Sequence, residues 1–170
     1  MSPASARTGR TSPERELAGF LAKFTPEMAG RIRAARRRMR ALLPTATELV
    51  YDNYNFFVIG YGPRNRPSEA ILSLACQAKG ISLCFLQGAG LPDPHHLLRG
   101  GGKVVRSLTV ESAATFDRTE VRALVDAALA RARAPLDPAA RHELVIRSVS
   151  AKQRPRRAAV RPRPPAGRKR

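Results

Sequence analysis

The sequence is poor in the residues on which most catalytic and metal chemistry depends: it has three histidines, two cysteines and 13 acidic side chains in 170 residues. None of the histidines lies in an apolar run, so general acid/base chemistry has few candidates. No Ser-His-Asp arrangement, HExxH or nucleophile elbow occurs, and no catalytic residue is expected. The two cysteines, Cys76 and Cys84, form no CxxC pair and have no companion histidine at metal spacing, which argues against a zinc-type centre. Both sit inside apolar runs and read as reduced core thiols of a cytoplasmic protein. No stretch approaches the roughly 20 apolar residues that span a bilayer, and the polar start of the chain has no signal-peptide core. Lysine is scarce as well, supplying only five of the 31 basic residues, so the charge is an arginine charge. Arginine and alanine together are what a GC-rich genome produces; the competing reading is selection for a polyanionic partner.

The charge is unevenly spread. Residues 1–44 carry 10 basic and 3 acidic side chains, residues 45–134 carry 10 and 8, and residues 135–170 carry 11 and 2, giving nets of +7, +2 and +9. A nearly neutral centre between cationic ends implies one folded domain with charged flanks; the length suits one domain of about 100–150 residues and no more.

Residues 1–12 lack periodicity and are expected to be a disordered arm. Ser12-Pro13-Glu14 and Thr25-Pro26-Glu27 each combine an N-cap, a proline at the first helical position and an acid for the helix dipole. The first starts a short helix through Leu17, Phe20, Leu21 and Phe24. The second starts a longer one with Met28, Ile32, Met39, Leu42 and Leu43 on its buried face, ended by Pro44. Arg31, Arg33, Arg36, Arg37, Arg38 and Arg40 occupy most of the rest of that helix and make its outer face basic, which suits a membrane surface, nucleic acid or plain solvation of a helix packed on a sheet. Five strands are expected at residues 47–51, 56–61, 70–76, 81–86 and 104–110, with Ala78-Lys79-Gly80 as a compact hairpin turn. Short connections favour an antiparallel meander. Phe116 to Glu120 opens a last helix ending near Pro135. Residues 135–150 form a short extension with room for one more short element over residues 138–150, whose only apolar cluster is Leu144, Val145 and Ile146. From Ala151 the chain has basic residues, prolines and no acids, so residues 151–170 are expected to be a disordered arginine-rich tail. The fold class is α+β: a two-layer α-β sandwich, an antiparallel sheet of about five strands with helices on one face.

Three constellations bear on function. In Arg99-Gly100-Gly101-Gly102-Lys103, followed by Arg106, glycines let amide N–H groups approach an anion while Lys103 and Arg106 supply charge. The spacing is not that of a P-loop, and a flexible turn is the structural reading. Tyr51, Asp52, Tyr54 and Asn55 crowd hydrogen-bonding groups near the first strand turn, which is also ordinary turn chemistry. Tyr51, Asn55, Lys103 and Arg106 are the candidate ligand-binding set. Asp93, His95 and His96 are metal-donor types, yet adjacent histidines in a proline-flanked loop point apart, and no metal site is expected. For nucleic acid the candidates are Arg36, Arg37 and Arg40 on the basic helix with Lys152, Arg154, Arg156, Arg157, Arg161 and Arg163 in the tail. The tail has no aromatic residue to stack on bases.

The centre of the chain carries Tyr51-Asp52-Asn53-Tyr54-Asn55, Pro67-Ser68-Glu69-Ala70-Ile71-Leu72-Ser73, Leu83-Cys84-Phe85-Leu86-Gln87-Gly88, Leu91-Pro92-Asp93-Pro94 and Gly100-Gly101-Gly102-Lys103-Val104-Val105-Arg106. In this order, between a leading helix pair and a closing helix, these motifs resemble the YdhG-like bacterial domain family, over roughly residues 16–134, within an expected domain of residues 13–134. The resemblance implies a frataxin-like sandwich of largely unknown function, some relatives being described as iron chaperones. Frataxin-type iron binding uses a ridge of carboxylates on the first helix and the adjoining strand, and here the long first-layer helix is almost free of acid after Glu27 and rich in arginine. The functional expectation is a non-enzymatic binding module for a small anionic ligand or a protein partner, without a cofactor. The alternatives are nonspecific nucleic-acid binding and a frataxin-like iron chaperone.

Overall fold

A computed structural model describes residues 11–159. Helix α1 spans Pro13–Leu21, and the Ser12 side chain accepts from the Arg15 amide at 3.3 Å. Helix α2 spans Pro26–Leu42, capped in the same way by Thr25 on the Met28 amide at 3.2 Å. Both starts follow from the Ser/Thr-Pro-Glu triplets read in the sequence. Leu17, Leu21, Phe24, Met28, Ile32, Ala35 and Met39 form the buried stripe of this helix pair.

Five strands follow as an antiparallel meander: β1 (Thr47–Asp52), β2 (Phe57–Gly62), β3 (Leu72–Gln77), β4 (Gly80–Phe85) and β5 (Arg106–Thr109). The β3–β4 turn is the two residues Ala78 and Lys79, with Gln77 paired to Gly80. A 3-10 turn over Ala113–Asp117 precedes α3 (Thr119–Ala130), a shorter closing helix than the sequence suggests because Arg131 already caps it. The fully antiparallel five-stranded sheet needs correction. Residues Glu143–Val149 form a sixth strand, β6, parallel to β1, so the sheet is mixed and open with order β5-β4-β3-β2-β1-β6. The apolar run Leu144 to Ile146 zips onto the β1 edge after α3 has carried the chain back across the sheet. A parallel neighbour needs such a long crossover, which a reading of successive hairpins does not anticipate.

Alternation along the strands separates two faces. Val50, Phe57, Ile59, Tyr61, Leu72, Leu74, Cys76, Leu83 and Phe85 join the helix residues in one core cluster. The opposite face presents small residues, among them Gly60, Ser73, Ala75, Ser82 and Cys84. The two cysteines thus lie on opposite faces of adjacent strands, and both are free. Burial pushes both thiols above their ordinary value.

Candidate functional site

The core-facing positions of β1 are Glu48, Val50 and Asp52, which places two carboxylates inside the apolar layer. Glu48 is completely buried and accepts hydrogen bonds from Arg36 at 2.7 to 3.1 Å. The same guanidinium reaches Glu14 of α1 at 2.7 and 3.0 Å. The His142 ring nitrogen Nε2 stands 3.0 Å from Glu48, so the chain entering β6 is tied to the same carboxylate. Burial works against the Arg36 charge, but the two carboxylates outweigh it and hold its pKa above the ordinary value. Burial, with Glu48 alongside, pushes the Tyr61 phenol well up.

Asp52, at the far end of β1, is also buried and is engaged by Lys23 and by Arg156 at 2.9 Å. The segment from Ser150 to Arg157, which from Ala151 on the sequence reads as the start of a disordered tail, lies across this end of the sheet as a strap. The Ser150 amide donates to the Asp52 carbonyl at 2.9 Å and the Arg154 amide to the Tyr54 carbonyl at 2.8 Å. Gln153 bonds both Lys23 and the Asp52 carbonyl. The physical reason is the buried carboxylate: an arginine that neutralises it offsets the ordering entropy of a short segment in a way that composition does not reveal.

The structure divides the expected nucleic-acid residues. Arg36 and Arg156 are consumed by buried carboxylates, and Arg157 donates to the carbonyls of Ala22 and Lys23 at the end of α1, both at 3.3 Å. On α2, Arg31 bonds the carbonyls of Val110 and Glu111, and Arg38 pairs with Asp117 at 2.9 Å. Arg33, Arg37 and Arg40 remain as an exposed stripe at helical spacing, Arg40 with its guanidinium 3.5 Å from His142 Nδ1. Lys152 and Arg154 are exposed; Arg161 and Arg163 lie outside the described residues.

The expected ligand set is not assembled in one place. Tyr51 is on the sheet face opposite the helices and Asn55 is in the β1–β2 turn. Arg106 starts β5, three strands beyond β2 and at the opposite end of the sheet, where it pairs with Phe85. Its guanidinium donates to the Gly102 and Val105 carbonyls, closing the glycine loop on itself, while Lys103 is exposed. Gly100 has φ 128°, a left-handed conformation that favours glycine. A Cβ on Gly88 would stand 2.7 Å from that of Arg106. The loop geometry therefore matches the turn reading. Asp93 accepts the Leu97 and Leu98 amides at 2.9 Å, while His95 and His96 are exposed; among the described residues no three His, Cys, Asp or Glu side chains come together.

At that same end a cleft of about 440 Å³ opens between the turn at Pro67–Glu69 and the end of α3. Arg64, Arg131 and Arg133 line it with Ser68 and Gln87. Its one carboxylate, Glu69, is already paired with Arg64 at 2.9 Å and Arg66 at 3.6 Å. Arg131 also donates to the Gly90 carbonyl. Sequence reading missed this site because its arginines come from segments 67 residues apart that only α3 and β2 bring together. No helix among the described residues is long and apolar enough to cross a membrane. Comparison of the chain with protein-family models, curated proteins and solved structures finds no match.

Proposed function

We propose that the protein is a non-enzymatic binding module whose ligand is a small anion held in the cleft between the Pro67–Glu69 turn and the C-terminus of α3. One observation carries this reading: three guanidinium groups line a concavity of about 440 Å³ whose single carboxylate is already neutralised. That volume falls in the range of small-molecule sites, and planar guanidinium groups suit carboxylate or phosphate oxygens. The resemblance to the YdhG-like family supports a frataxin-like sandwich in a bacterial, cytoplasmic setting and is compatible with binding. The iron-chaperone alternative rests on that resemblance alone. The test is calorimetry and thermal melting with inorganic phosphate and citrate as probes. Saturable binding with a raised Tm is expected, because a ligand at 100 times its Kd stabilises by about 2.7 kcal/mol. Arg131→Ala with Arg133→Ala should remove it and Arg37→Ala should not. Equal binding by all three proteins would refute the cleft.

A second reading, nonspecific attachment to nucleic acid, draws on the exposed Arg33, Arg37 and Arg40 stripe of α2. Residues 11–159 carry 24 basic and 13 acidic side chains, a net of +11, and six of those acids are engaged by cations. Replacing the three stripe arginines by alanine in the full chain should lower the salt dependence of DNA binding by about 2 to 3 in log-log slope. An unchanged slope would remove α2 from the interface.

A further inference from the structure

The chain has nine aromatic residues, and among them only Tyr54 and Phe56 are exposed, at 51 % and 39 %. They stand two residues apart in the β1–β2 turn, at the end of the sheet away from the anion cleft. Burying an aromatic ring is worth enough that a small domain exposing two in one turn has left them free for contact.

Their surroundings are cationic and amide-bearing. The Arg154 guanidinium lies 5.9 Å from the centre of the Tyr54 ring. Beside it a groove of about 190 Å³ runs between the β1–β2 and β3–β4 turns, lined by Asn55 and Gln77, with Lys79 on one side and Arg154 on the other. Among the described residues no carboxylate lines this groove. The acid beneath it, Asp52, is buried and held by Lys23 and Arg156, so it adds no repulsion toward an anion. Lys79, Lys152 and Arg154 are exposed, and none has an acidic partner among the described residues.

Exposed ring faces, side-chain amides and unopposed cations, within a few residues of one another and free of acid, are the complement of single-stranded nucleic acid. Rings stack on unpaired bases, amides bond base edges, and cations meet phosphates. A duplex keeps its bases stacked on each other and offers no ring face here. Two rings flanked by amides make too small an apolar surface to enter a bilayer. We propose that the β1–β2 turn, the β3–β4 turn and the strap at Gln153–Arg156 form a binding platform for a single strand, with Tyr54 and Phe56 stacking on bases and Lys79 and Arg154 on the flanking phosphates. The strap is part of the platform because Arg156, anchored on Asp52, sets Arg154 beside Tyr54. This proposal stands apart from the anion cleft. It also differs from attraction to any polyanion, since it requires the rings.

The test is fluorescence anisotropy with labelled oligothymidylate and the full chain across a salt series, with a duplex of equal length and phosphatidylserine vesicles as parallel probes. Tyr54→Ala and Phe56→Ala should each weaken oligothymidylate binding about tenfold at an unchanged salt slope, whereas Tyr54→Phe should bind as the parent does. Arg154→Ala should lower the slope by about one. Duplex binding should be weaker and indifferent to the ring substitutions. Oligothymidylate binding unaffected by both alanine variants, an equal loss on the duplex, or binding to vesicles without binding to the oligonucleotide would each overturn the proposal. Loss in Tyr54→Ala restored by Tyr54→Phe, with duplex binding unchanged in both, separates stacking from a folding defect.

Discussion

Glu48 and Asp52 sit four residues apart on the same face of the same strand, and the chain neutralises them in different ways. Glu48 is answered by Arg36, a residue in the middle of a 17-residue helix that cannot leave, and by His142. Asp52 is answered by Lys23, whose side chain is 41 % exposed, and by Arg156, which belongs to a strap held by a few hydrogen bonds. The first acid holds helices and sheet together; the second holds the C-terminal segment to the sheet. An arginine's role here depends on whether a buried carboxylate faces it, and the same residue type serves as core brace, as strap anchor and as surface charge.

Breaking each pair should separate the two roles. Glu48→Ala leaves the largely buried Arg36 guanidinium with only the exposed Glu14 as counter-charge, and should cost about 3 kcal/mol of global stability in denaturant unfolding. Asp52→Ala leaves Arg156 free to swing out with the strap and Lys23, at the end of α1, free to turn to solvent. It should cost less, about 1–3 kcal/mol, and its main sign should be rapid tryptic cleavage between Lys152 and Arg157 while residues 13–149 stay resistant. Equal global losses and no new cleavage would erase the distinction. The two sheet faces give a smaller contrast. Cys76 is fully buried under the helices and Cys84 only partly buried on the other face, so iodoacetamide should modify Cys84 first and Cys76 only on unfolding. Simultaneous modification would mean that the helix layer opens readily.

The smallest effect belongs to Glu14, 57 % exposed at the outer end of the Arg36 network. Its hydrogen bond to Arg36 holds its pKa below the ordinary 4.5. A lowered folded pKa adds stability that is complete above 4.5 and is lost as pH falls through the folded value. Glu14→Gln should therefore cost about 0.5 kcal/mol or less near neutrality and nothing at the acid end of the range. A pH-independent loss would assign Glu14 a packing role instead.

Much of the fold was legible because local signals and tertiary structure agree. The Ser12 and Thr25 caps are made as read, and the five meander strands lie within two residues of their expected bounds. The sixth strand was legible only as a short element within residues 138–150 and not as a parallel strand, since three apolar residues between Arg141 and Arg147 name no partner; the β1 edge supplies one from almost a hundred residues earlier. Glu48 was invisible for a similar reason: in a strand pattern it reads as a solvent-facing position until Arg36 is placed opposite it. The expected ligand set failed to assemble because Tyr51 and Asn55 belong to one end of the sheet and Lys103 and Arg106 to the other. Asn55 alone found a groove, beside Arg154 from the tail candidates. Arginine-rich sequence conceals such a division, as composition weighs Arg37 and Arg156 alike.

The division of the arginines into internal anchors and external contacts is tested most directly by amide hydrogen exchange on the full chain and on Asp52→Asn. The Ser150 and Arg154 amides, bonded to the carbonyls of Asp52 and Tyr54, should be protected in the parent and exchange freely in Asp52→Asn, while β6 keeps its protection in both. Free exchange at Ser150 and Arg154 in the parent would mean that Arg156 does not anchor the strap.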